Sequence, residues 1–138
     1  MHINGKTRMV AVLGHPIAHT ASPAMHNAAF AALNLNWCYL AFDVDPARLR
    51  AALHGLAAMG VVGVNLTVPH KILAARWLDE MDQSVRQLGA ANTLKFSMAS
   101  ERPRLRGFNT DGHGLLKALE GEFSFHPRGK AVAIIGCG

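Results

Sequence analysis

One stretch of the chain, residues 61–71, constrains the fold most strongly. Its residues are Val-Val-Gly-Val-Asn-Leu-Thr-Val-Pro-His-Lys, and the apolar, β-branched first half is typical of a buried strand. Asn65 and Thr67 are two positions apart, so their side chains are expected on the same face of that strand. Pro69 suits the first position of a following helix, because no backbone N–H is needed there. A buried strand that leads directly into a helix is the repeating unit of α/β folds.

Lys71 is an unexpected residue for the first turn of that helix. The positive end of the helix dipole lies there and favours acidic side chains. Two hydrogen-bonding side chains and a cation therefore follow one strand at its carboxyl end, which is where α/β proteins bind ligands. Each residue also has a purely structural interpretation, in which Asn65 and Thr67 bond local backbone groups and Lys71 extends into solvent.

The rest of the sequence alternates between strand and helix patterns. Apolar runs predict strands at 9–13, 37–42, 92–97 and 131–135, and residues 104–108 are predicted to form a hairpin with the strand before them. Helices are predicted from Ser22 as N-cap to about Leu33, from about residue 47 to 59, after Pro69 through Met81, over 82–88 and from Gly112 to a linker at 121–129. The sequence therefore predicts a three-layer α/β domain with a mainly parallel, mixed sheet flanked by helices.

Composition and charge narrow the class of protein. Half of the 138 residues are hydrophobic and 17% are charged, which is typical of a globular domain. The net charge of +5 favours anionic ligands, but aromatic residues are only 7% and no base-stacking motif is present, so nucleic acid is not expected as a partner. The alternating Arg102, Arg104 and Arg106 are interpreted as a solvated edge strand.

The sequence also lacks the patterns of a targeting or membrane segment, of a disulfide framework and of a metal site. No apolar run reaches the roughly 20 residues of a membrane span, and no signal segment follows Met1. We therefore expect a cytoplasmic protein without a membrane partner. Cys38 and Cys137 are far apart, and His15 and His19 are separated by Pro16 without a third ligand, so neither a disulfide framework nor a metal site is expected.

Four motifs, taken together, resemble one family. They are Gly14-His15-Pro16-Ile17-Ala18-His19-Thr20-Ala21-Ser22-Pro23, Asn65-Leu66-Thr67-Val68-Pro69-His70-Lys71, Gly89-Ala90-Ala91-Asn92-Thr93-Leu94 and Asn109-Thr110-Asp111-Gly112. In this order they resemble the N-terminal substrate-binding domain of the shikimate dehydrogenases. The resemblance covers nearly the whole chain, whereas any single motif would be weak support.

The resemblance implies a reaction and a set of site residues. It implies reduction of the ketone of 3-dehydroshikimate to shikimate with NADPH, in the biosynthesis of chorismate and aromatic amino acids. Lys71 matches the catalytic lysine and Asp111 matches its partner. The residues that match side chains holding the substrate's carboxylate and hydroxyls are Thr20, Ser22, Asn65, Thr67 and Asn92. The chemistry is reasonable, because an ammonium stabilises the negative oxygen that hydride transfer creates and can protonate it.

Two departures from the family pattern leave alternatives open. Thr20 replaces the more usual serine, and its methyl group narrows the pocket, which keeps a quinate/shikimate dehydrogenase of looser specificity as an alternative. The resemblance also divides the chain into a substrate-binding domain (1–110), a connecting helix and linker (111–129) and the first strand and glycine turn of an NADP-binding domain (130–138). Only Gly136 and Gly138 are present from the cofactor site.

That incomplete cofactor site sets the expectation for activity. We expect these 138 residues alone to reduce nothing, because most of the site for NADP(H) is missing. A non-catalytic module that binds a small polyhydroxylated acid is the alternative from another class, and a homodimer is left open as the assembly.

Overall fold

The computed structural model of the chain describes residues 3–99 and 102–136. The strands are β1 (Arg8–Gly14), β2 (Trp37–Asp43), β3 (Gly63–Leu66), β4 (Glu80–Met81), β5 (Thr93–Ala99) and β6 (Arg102–Phe108). The helices are α1 (Ser22–Ala32), α2 (Leu49–Ala58), α3 (His70–Ala75), α4 (Gln83–Leu88) and α5 (Asp111–Phe123). None of these helices is long and apolar enough to cross a membrane.

The strands form one mixed sheet in the order β2-β1-β3-β5-β6-β4. Strand β1 pairs in parallel with β2 and β3, and β6 pairs in parallel with β4. Strand β5 is antiparallel to both of its neighbours, β3 and β6. The predicted α/β class, the mainly parallel sheet and the hairpin of β5 and β6 are thus confirmed.

Side chains of β1 alternate between two hydrophobic cores on opposite faces of the sheet. Ala11 and Leu13 point into a core packed by α2, α3 and α4, which we call the large core. Val12 points the other way, into a small core with Ile17 and Tyr39, against which Phe30 of α1 packs. Among the described residues, sixteen buried hydrophobic side chains form the large core and three form the small one. The helices therefore cover the two faces very unequally.

Two predicted features around α1 and α3 are wrong at the level of single residues. Helix α1 begins at Ser22 and has Ala21 as its N-cap, because the backbone N–H of Ser22 donates to the Thr20 hydroxyl in a tight turn. Helix α3 begins at His70 with Pro69 as its N-cap, one residue later than predicted. Lys71 nevertheless lies in the first turn, as the sequence predicts.

The predicted helix through Met81 is also wrong. Helix α3 ends at Ala75, and Met81 lies in β4, where it pairs with Gly107 of β6. Backbone pairing with a distant strand outweighs the local spacing of apolar residues that predicted a helix. Pairing with β4 also covers β6 at Arg106 and Gly107, so β6 is an edge strand only over its earlier residues.

The C-terminal segment departs most from the prediction. No strand forms at 131–135, and the side chains there are open to solvent, with Ile135 99% exposed. A strand needs a neighbour for its backbone hydrogen bonds, and none of the described strands pairs with this segment. The predicted linker also begins later, because α5 continues through Gly121 to Phe123. Cys137 and Gly138 lie outside the described residues, and the division at residues 110 and 129 stays a prediction.

Candidate functional site

The strand register brings four segments of the chain to one edge of the sheet. Asn65 near the end of β3 pairs with Thr93 at the start of β5, and Thr93 pairs with Phe108 at the end of β6. Strand β1 ends at the same edge, since Leu13 pairs with Leu66. The segments just beyond this edge are 15–22, 67–71, 89–92 and 109–111. Each of the four sequence motifs therefore contributes to the same edge.

Lys71 and Asp111 meet at this edge. Lys71 is the second residue of α3 and Asp111 is the first residue of α5. The Lys71 ammonium donates a hydrogen bond of 2.7 Å to Oδ2 of Asp111. The Lys71 side chain is 31% exposed and that of Asp111 49%, so the pair remains open to a ligand. A carboxylate in the first turn of α5 also suits the dipole of that helix.

Asp111 is held from several directions. Its backbone N–H donates to Oδ1 of Asn109, and its own Oδ1 accepts from Nδ2 of Asn92. Burial alone raises the pKa of the Asp111 carboxyl, but hydrogen bonds from Lys71 and Asn92 and the nearby Lys71 charge outweigh it, so the pKa lies below its ordinary value. Asp111 is therefore an anion at neutral pH and holds the Lys71 ammonium in place.

Asn92 joins the pair to β5 and uses its whole hydrogen-bonding capacity within the protein. Its Nδ2 donates to Oγ1 of Thr110 and to Asp111, both at 2.8 Å. Its Oδ1 accepts from the Thr93 hydroxyl at 2.9 Å and from the backbone N–H of Thr110 at 3.1 Å. Two donors and two acceptor sites are all that an amide side chain offers. The orientation of the Asn92 amide is thus fixed.

Asn65 extends this network towards β2. The buried Tyr39 hydroxyl donates to Asn65 Oδ1 at 2.7 Å. Nδ2 of Asn65 donates to the Thr93 hydroxyl at 3.1 Å and to the backbone oxygen of Asn92 at 3.3 Å. Burial raises the pKa of Tyr39 to about 12, so its hydroxyl stays protonated and acts as a donor. Asn65 is thereby connected to Asp111 through Thr93 and Asn92.

Thr67 lies at the same edge but outside this network of described hydrogen bonds. Its backbone N–H donates to Leu13 of β1, and its methyl group packs over Gly14. A Cβ atom at Gly14 would come within 2.6 Å of that methyl, so any larger residue there would force neighbouring side chains to shift. The close approach places Thr67 beside the loop that follows β1.

Thr20 and Ser22 form a separate pair on that loop. The Thr20 hydroxyl donates to the Ser22 hydroxyl at 3.1 Å and accepts from the Ser22 backbone N–H at 3.3 Å. No hydrogen bond within residues 3–99 and 102–136 links this pair to Lys71 or Asp111. The structure therefore joins four of the predicted residues in one network and leaves three beside it. Their roles in binding and catalysis stay predictions.

Four polar residues of the network were missed by the sequence interpretation, namely Tyr39, Thr93, Asn109 and Thr110. Thr93 and Thr110 are parts of the quoted motifs, so their hydroxyls could have been included. Tyr39 is the one tyrosine of the chain, and it is buried on a strand that faces a helix. A buried phenol requires a hydrogen-bond partner, which was the signal available from the sequence.

The two glycines assigned to the cofactor lie away from this site in the sequence, and no residue is assigned to a metal. Gly136 has a φ of 84°, which suits a glycine turn, and Gly138 is outside the described residues. Within the described part of the chain, no three His, Cys, Asp or Glu side chains gather as metal ligands. The described residues at this edge are a lysine and a carboxylate beside several hydroxyl and amide groups.

This arrangement defines a class: an α/β domain with a lysine–carboxylate pair and a polar network at the carboxyl edge of its sheet, the edge at which α/β proteins generally bind small ligands. Comparison with known families is consistent with that class. The family model described as "Shikimate dehydrogenase substrate binding domain" matches residues 12–94, which is more than half of the chain. The chain belongs to this family.

Individual relatives agree with the assignment. The chain is 48% identical over 136 residues to the NADP(+) shikimate dehydrogenase of Methanopyrus kandleri, covering 99% of the chain and 46% of that protein. The structure of shikimate 5-dehydrogenase from Listeria monocytogenes, in complex with shikimate and NAD, matches with a TM-score of 0.81 at 35% identity over 88% of the chain and 41% of its own.

A protein with a different name shares the fold as well. The 5-ketofructose reductase of Gluconobacter sp. strain CHM43 matches with a TM-score of 0.76 at 31% identity, over 85% of the chain and 41% of its own. In each case the chain spans less than half the length of the relative.

Proposed function

We propose that residues 1–138 are the substrate-binding part of an enzyme that reduces 3-dehydroshikimate to shikimate with NADPH. The observation that carries this proposal is the 2.7 Å contact between Lys71 and Asp111 at the end of a network of amides and hydroxyls. The substrate is a carboxylate with several hydroxyl groups, and side chains that both donate and accept hydrogen bonds suit it. The names of the relatives support the same assignment.

Lys71 acts on the oxygen of the substrate ketone. A bound nicotinamide cofactor would supply the hydride. Lys71 lies with its ammonium open to the edge, where it stabilises the negative charge that grows on that oxygen and donates a proton from Nζ to it. Asp111 accepts a hydrogen bond from the same ammonium and so keeps it in one position. The pair thereby supplies orientation, charge and a proton.

The remaining polar residues bind the substrate's carboxylate and hydroxyls in this proposal. They are Thr20, Ser22, Asn65, Thr67 and Asn92. Asn92 would exchange one of its hydrogen bonds within the protein for one to the substrate. The network adds Thr110 to them. Its oxygen accepts from Asn92 while its own proton remains free to donate to a substrate oxygen.

Three further parts of the proposal concern the protein as a whole. Residues 111–129 connect to an NADP-binding domain that begins at about residue 130 and uses Gly136 and Gly138 in its phosphate turn. The cytoplasm is the proposed location of the enzyme. A homodimer is its proposed assembly, which light scattering after size-exclusion chromatography tests.

The deciding experiment compares the chain alone with a complete enzyme. By complete enzyme we mean residues 1–138 continued by a full NADP-binding domain, either its own or that of a relative. We expect the complete enzyme to oxidise NADPH when 3-dehydroshikimate is added. We expect the 138 residues alone to bind shikimate weakly, by chemical-shift changes in NMR, and to oxidise no NADPH. Shikimate binding by a complete enzyme without turnover would instead favour a non-catalytic module.

A second candidate is a quinate/shikimate dehydrogenase, and the observation that favours it is Thr20. Its hydroxyl is tied to Ser22, so its methyl group has a fixed direction. The likeness to a 5-ketofructose reductase indicates that this fold alone does not determine the substrate. The ratio of kcat/KM for shikimate and quinate, measured in wild type and in Thr20→Ser, separates the two candidates. A wild-type ratio near one supports the looser specificity.

A further inference from the structure

We propose that Tyr39 is a positioning residue that holds Asn65 in the orientation required by a hydrogen-bond chain ending on Asp111. The chain runs from Tyr39 through Asn65, Thr93 and Asn92 to Asp111, and every member donates to the next. This inference rests on the proposed function, because it concerns the residue that holds Lys71. Tyr39 lies on β2 and makes no described hydrogen bond to either residue of the pair.

The direction of this chain follows from the chemistry of its ends. Asp111 is a carboxylate and can only accept, so Asn92 must turn its NH2 group towards it. Asn92 then presents its oxygen to the Thr93 hydroxyl, which has one proton and gives it to that oxygen. Thr93 must therefore accept from Asn65, and the Asn65 amide must turn its oxygen away, towards β2. An acceptor end on Asp111 thus requires a donor beside Asn65.

Tyr39 supplies that donor and is itself held firmly. Its ring stacks on His26, with 4.3 Å between ring centroids and 12° between planes. The Asn27 side chain of α1 makes two hydrogen bonds to the backbone of Tyr39. Its Oδ1 accepts from the Tyr39 N–H at 2.8 Å, and its Nδ2 donates to the Tyr39 carbonyl at 2.9 Å. A hydroxyl on a ring fixed in this way can reach only one place. Its hydrogen bond satisfies the Asn65 oxygen, whereas the alternative amide orientation would turn that oxygen towards the Thr93 and Asn92 oxygens, which have no proton to give it.

The test removes single hydroxyl groups and keeps the rest of each side chain nearly unchanged in shape. In the complete enzyme, Tyr39→Phe deletes the first donor and Thr93→Val deletes the middle link, while both side chains keep their approximate volume. Thr7→Val is the matched control, because the Thr7 hydroxyl also donates at 2.7 Å to an asparagine oxygen, that of Asn36. This control lies at the opposite end of β1 and outside the chain of hydrogen bonds.

We expect the two deletions to be non-additive in kcat/KM. Tyr39→Phe should lower kcat/KM about fivefold or more, since it leaves a partly buried oxygen without its donor. The double variant Tyr39→Phe/Thr93→Val should be no worse than the poorer single variant by more than about twofold, because both break one unit. In the double variant Tyr39→Phe/Thr7→Val, the change in kcat/KM should equal the product of the two single changes. Multiplied effects for Tyr39 and Thr93 would overturn the proposal, as would a Tyr39→Phe enzyme within twofold of wild type.

A second readout does not depend on activity. In the 138-residue chain with ¹⁵N-labelled asparagine, Tyr39→Phe should move the side-chain NH2 resonances of Asn92, three hydrogen bonds away along the chain, and Thr7→Val should not. Unchanged Asn92 resonances in folded Tyr39→Phe overturn the proposal whatever the enzyme does. If the complete wild-type enzyme fails to reduce 3-dehydroshikimate, the proposed function falls, and the resonances alone then decide whether Tyr39 holds Asn65 in the orientation that the chain requires.

Discussion

The two faces of the sheet differ in what they bury. The face covered by α2, α3 and α4 holds the large core, whereas the face covered by α1 buries few apolar side chains and carries polar groups instead. On the second face an open cavity of about 270 Å³ lies between the aromatic residues of α1 and β2 and the polar side chains of β3 and β5. Leu53 and Leu94 are examples of the buried apolar side chains on the first face. Tyr39, Asn65 and Thr93 are the hydrogen-bonded polar side chains on the second face.

One strand, β3, contributes to both faces of the sheet. In β3, Val64 and Leu66 are buried in the large core while Asn65 between them bonds Tyr39 and Thr93. Because side chains alternate along a strand, the apolar residues that anchor β3 also force Asn65 onto the opposite face. The large core therefore fixes the position of the polar network without contacting a ligand. Perturbations of the two faces should have separable effects.

The largest expected effect is on turnover. In the complete enzyme, Lys71→Met should lower kcat by about 10²–10⁴-fold, the usual contribution of a general acid–base group, with a much smaller change in KM. Methionine keeps much of the length and the apolar stem, whereas the charge and the proton donor disappear. Steady-state kinetics with varied 3-dehydroshikimate at saturating NADPH measures both constants.

The control for Lys71 is a second lysine in an ion pair. Lys117 donates to Glu120 at 3.0 Å on the exposed surface of α5. Lys117→Met should leave kcat within about twofold of wild type, because an exposed ion pair contributes little. If Lys71→Met loses less than tenfold in kcat, or raises KM instead, Lys71 only anchors the substrate and the catalytic assignment is withdrawn.

The next effect is on stability and belongs to the large core. Leu53 of α2 is fully buried, and Leu53→Ala should lower the free energy of unfolding by about 2–5 kcal/mol. Leu33, just after α1, is 67% exposed, so Leu33→Ala should change the free energy of unfolding by no more than about 0.5 kcal/mol. Urea unfolding of the 138-residue chain followed by circular dichroism measures both. Equal losses would show that burial does not separate these positions.

The sequence predicts most of this architecture because it depends on patterns that one stretch of chain contains. The apolar run before Asn65 and the glycine after α4 each determine a local structure, and both features are present. Met81 and residues 131–135 were predicted incorrectly because their structure depends on partners elsewhere. Met81 forms a strand through Gly107, and the apolar segment at 131–135 has no described strand to pair with.

A third prediction concerns the spacing between β3 and β5. A Cβ atom at Gly63 would collide with the backbone oxygen of Leu94, which cannot move without breaking the sheet. Gly63→Ala should therefore lower the free energy of unfolding by about 1–3 kcal/mol. Gly55 in α2 has open space around it, so Gly55→Ala should raise that free energy by about 0.5–1 kcal/mol. The two substitutions are expected to change the free energy of unfolding in opposite directions. A change in the same direction for both would contradict the explanation from the space around each glycine.

The candidate site was predictable in part for the same physical reason. Lys71 and Asp111 were identified because each follows a motif in the sequence, and the structure brings them to hydrogen-bonding distance. Tyr39 could not be assigned to Asn65 from the sequence, because their contact depends on the register of β2, β1 and β3 across the sheet. Networks between strands require that register, and a single sequence does not contain it.

The smallest expected effect is on the pH dependence of stability. Hydrogen bonds from Lys71 and Asn92 hold the pKa of Asp111 below its ordinary value of 3.8, although burial acts against them. A carboxyl group with a depressed pKa in the folded state stabilises the fold fully above its unfolded pKa, and this contribution is lost as the pH falls through the folded value. The difference in unfolding free energy between wild type and Asp111→Asn should thus be constant near neutral pH and shrink below about pH 4. Because Asp111 is half-exposed, we expect this pH-dependent change in the free-energy difference to be less than about 1 kcal/mol.

A double-mutant comparison identifies the source of that dependence. In the Lys71→Met background the main donor and the charge that lower the pKa of Asp111 are gone, while burial continues to raise it. The further substitution Asp111→Asn should then alter the pH dependence less than it does in wild type. Urea titrations of the four proteins at several pH values between neutral and pH 3 give the required free energies. An equal effect of Asp111→Asn in both backgrounds would mean that Lys71 does not stabilise the carboxylate, and the pair would lose its role in holding the ammonium.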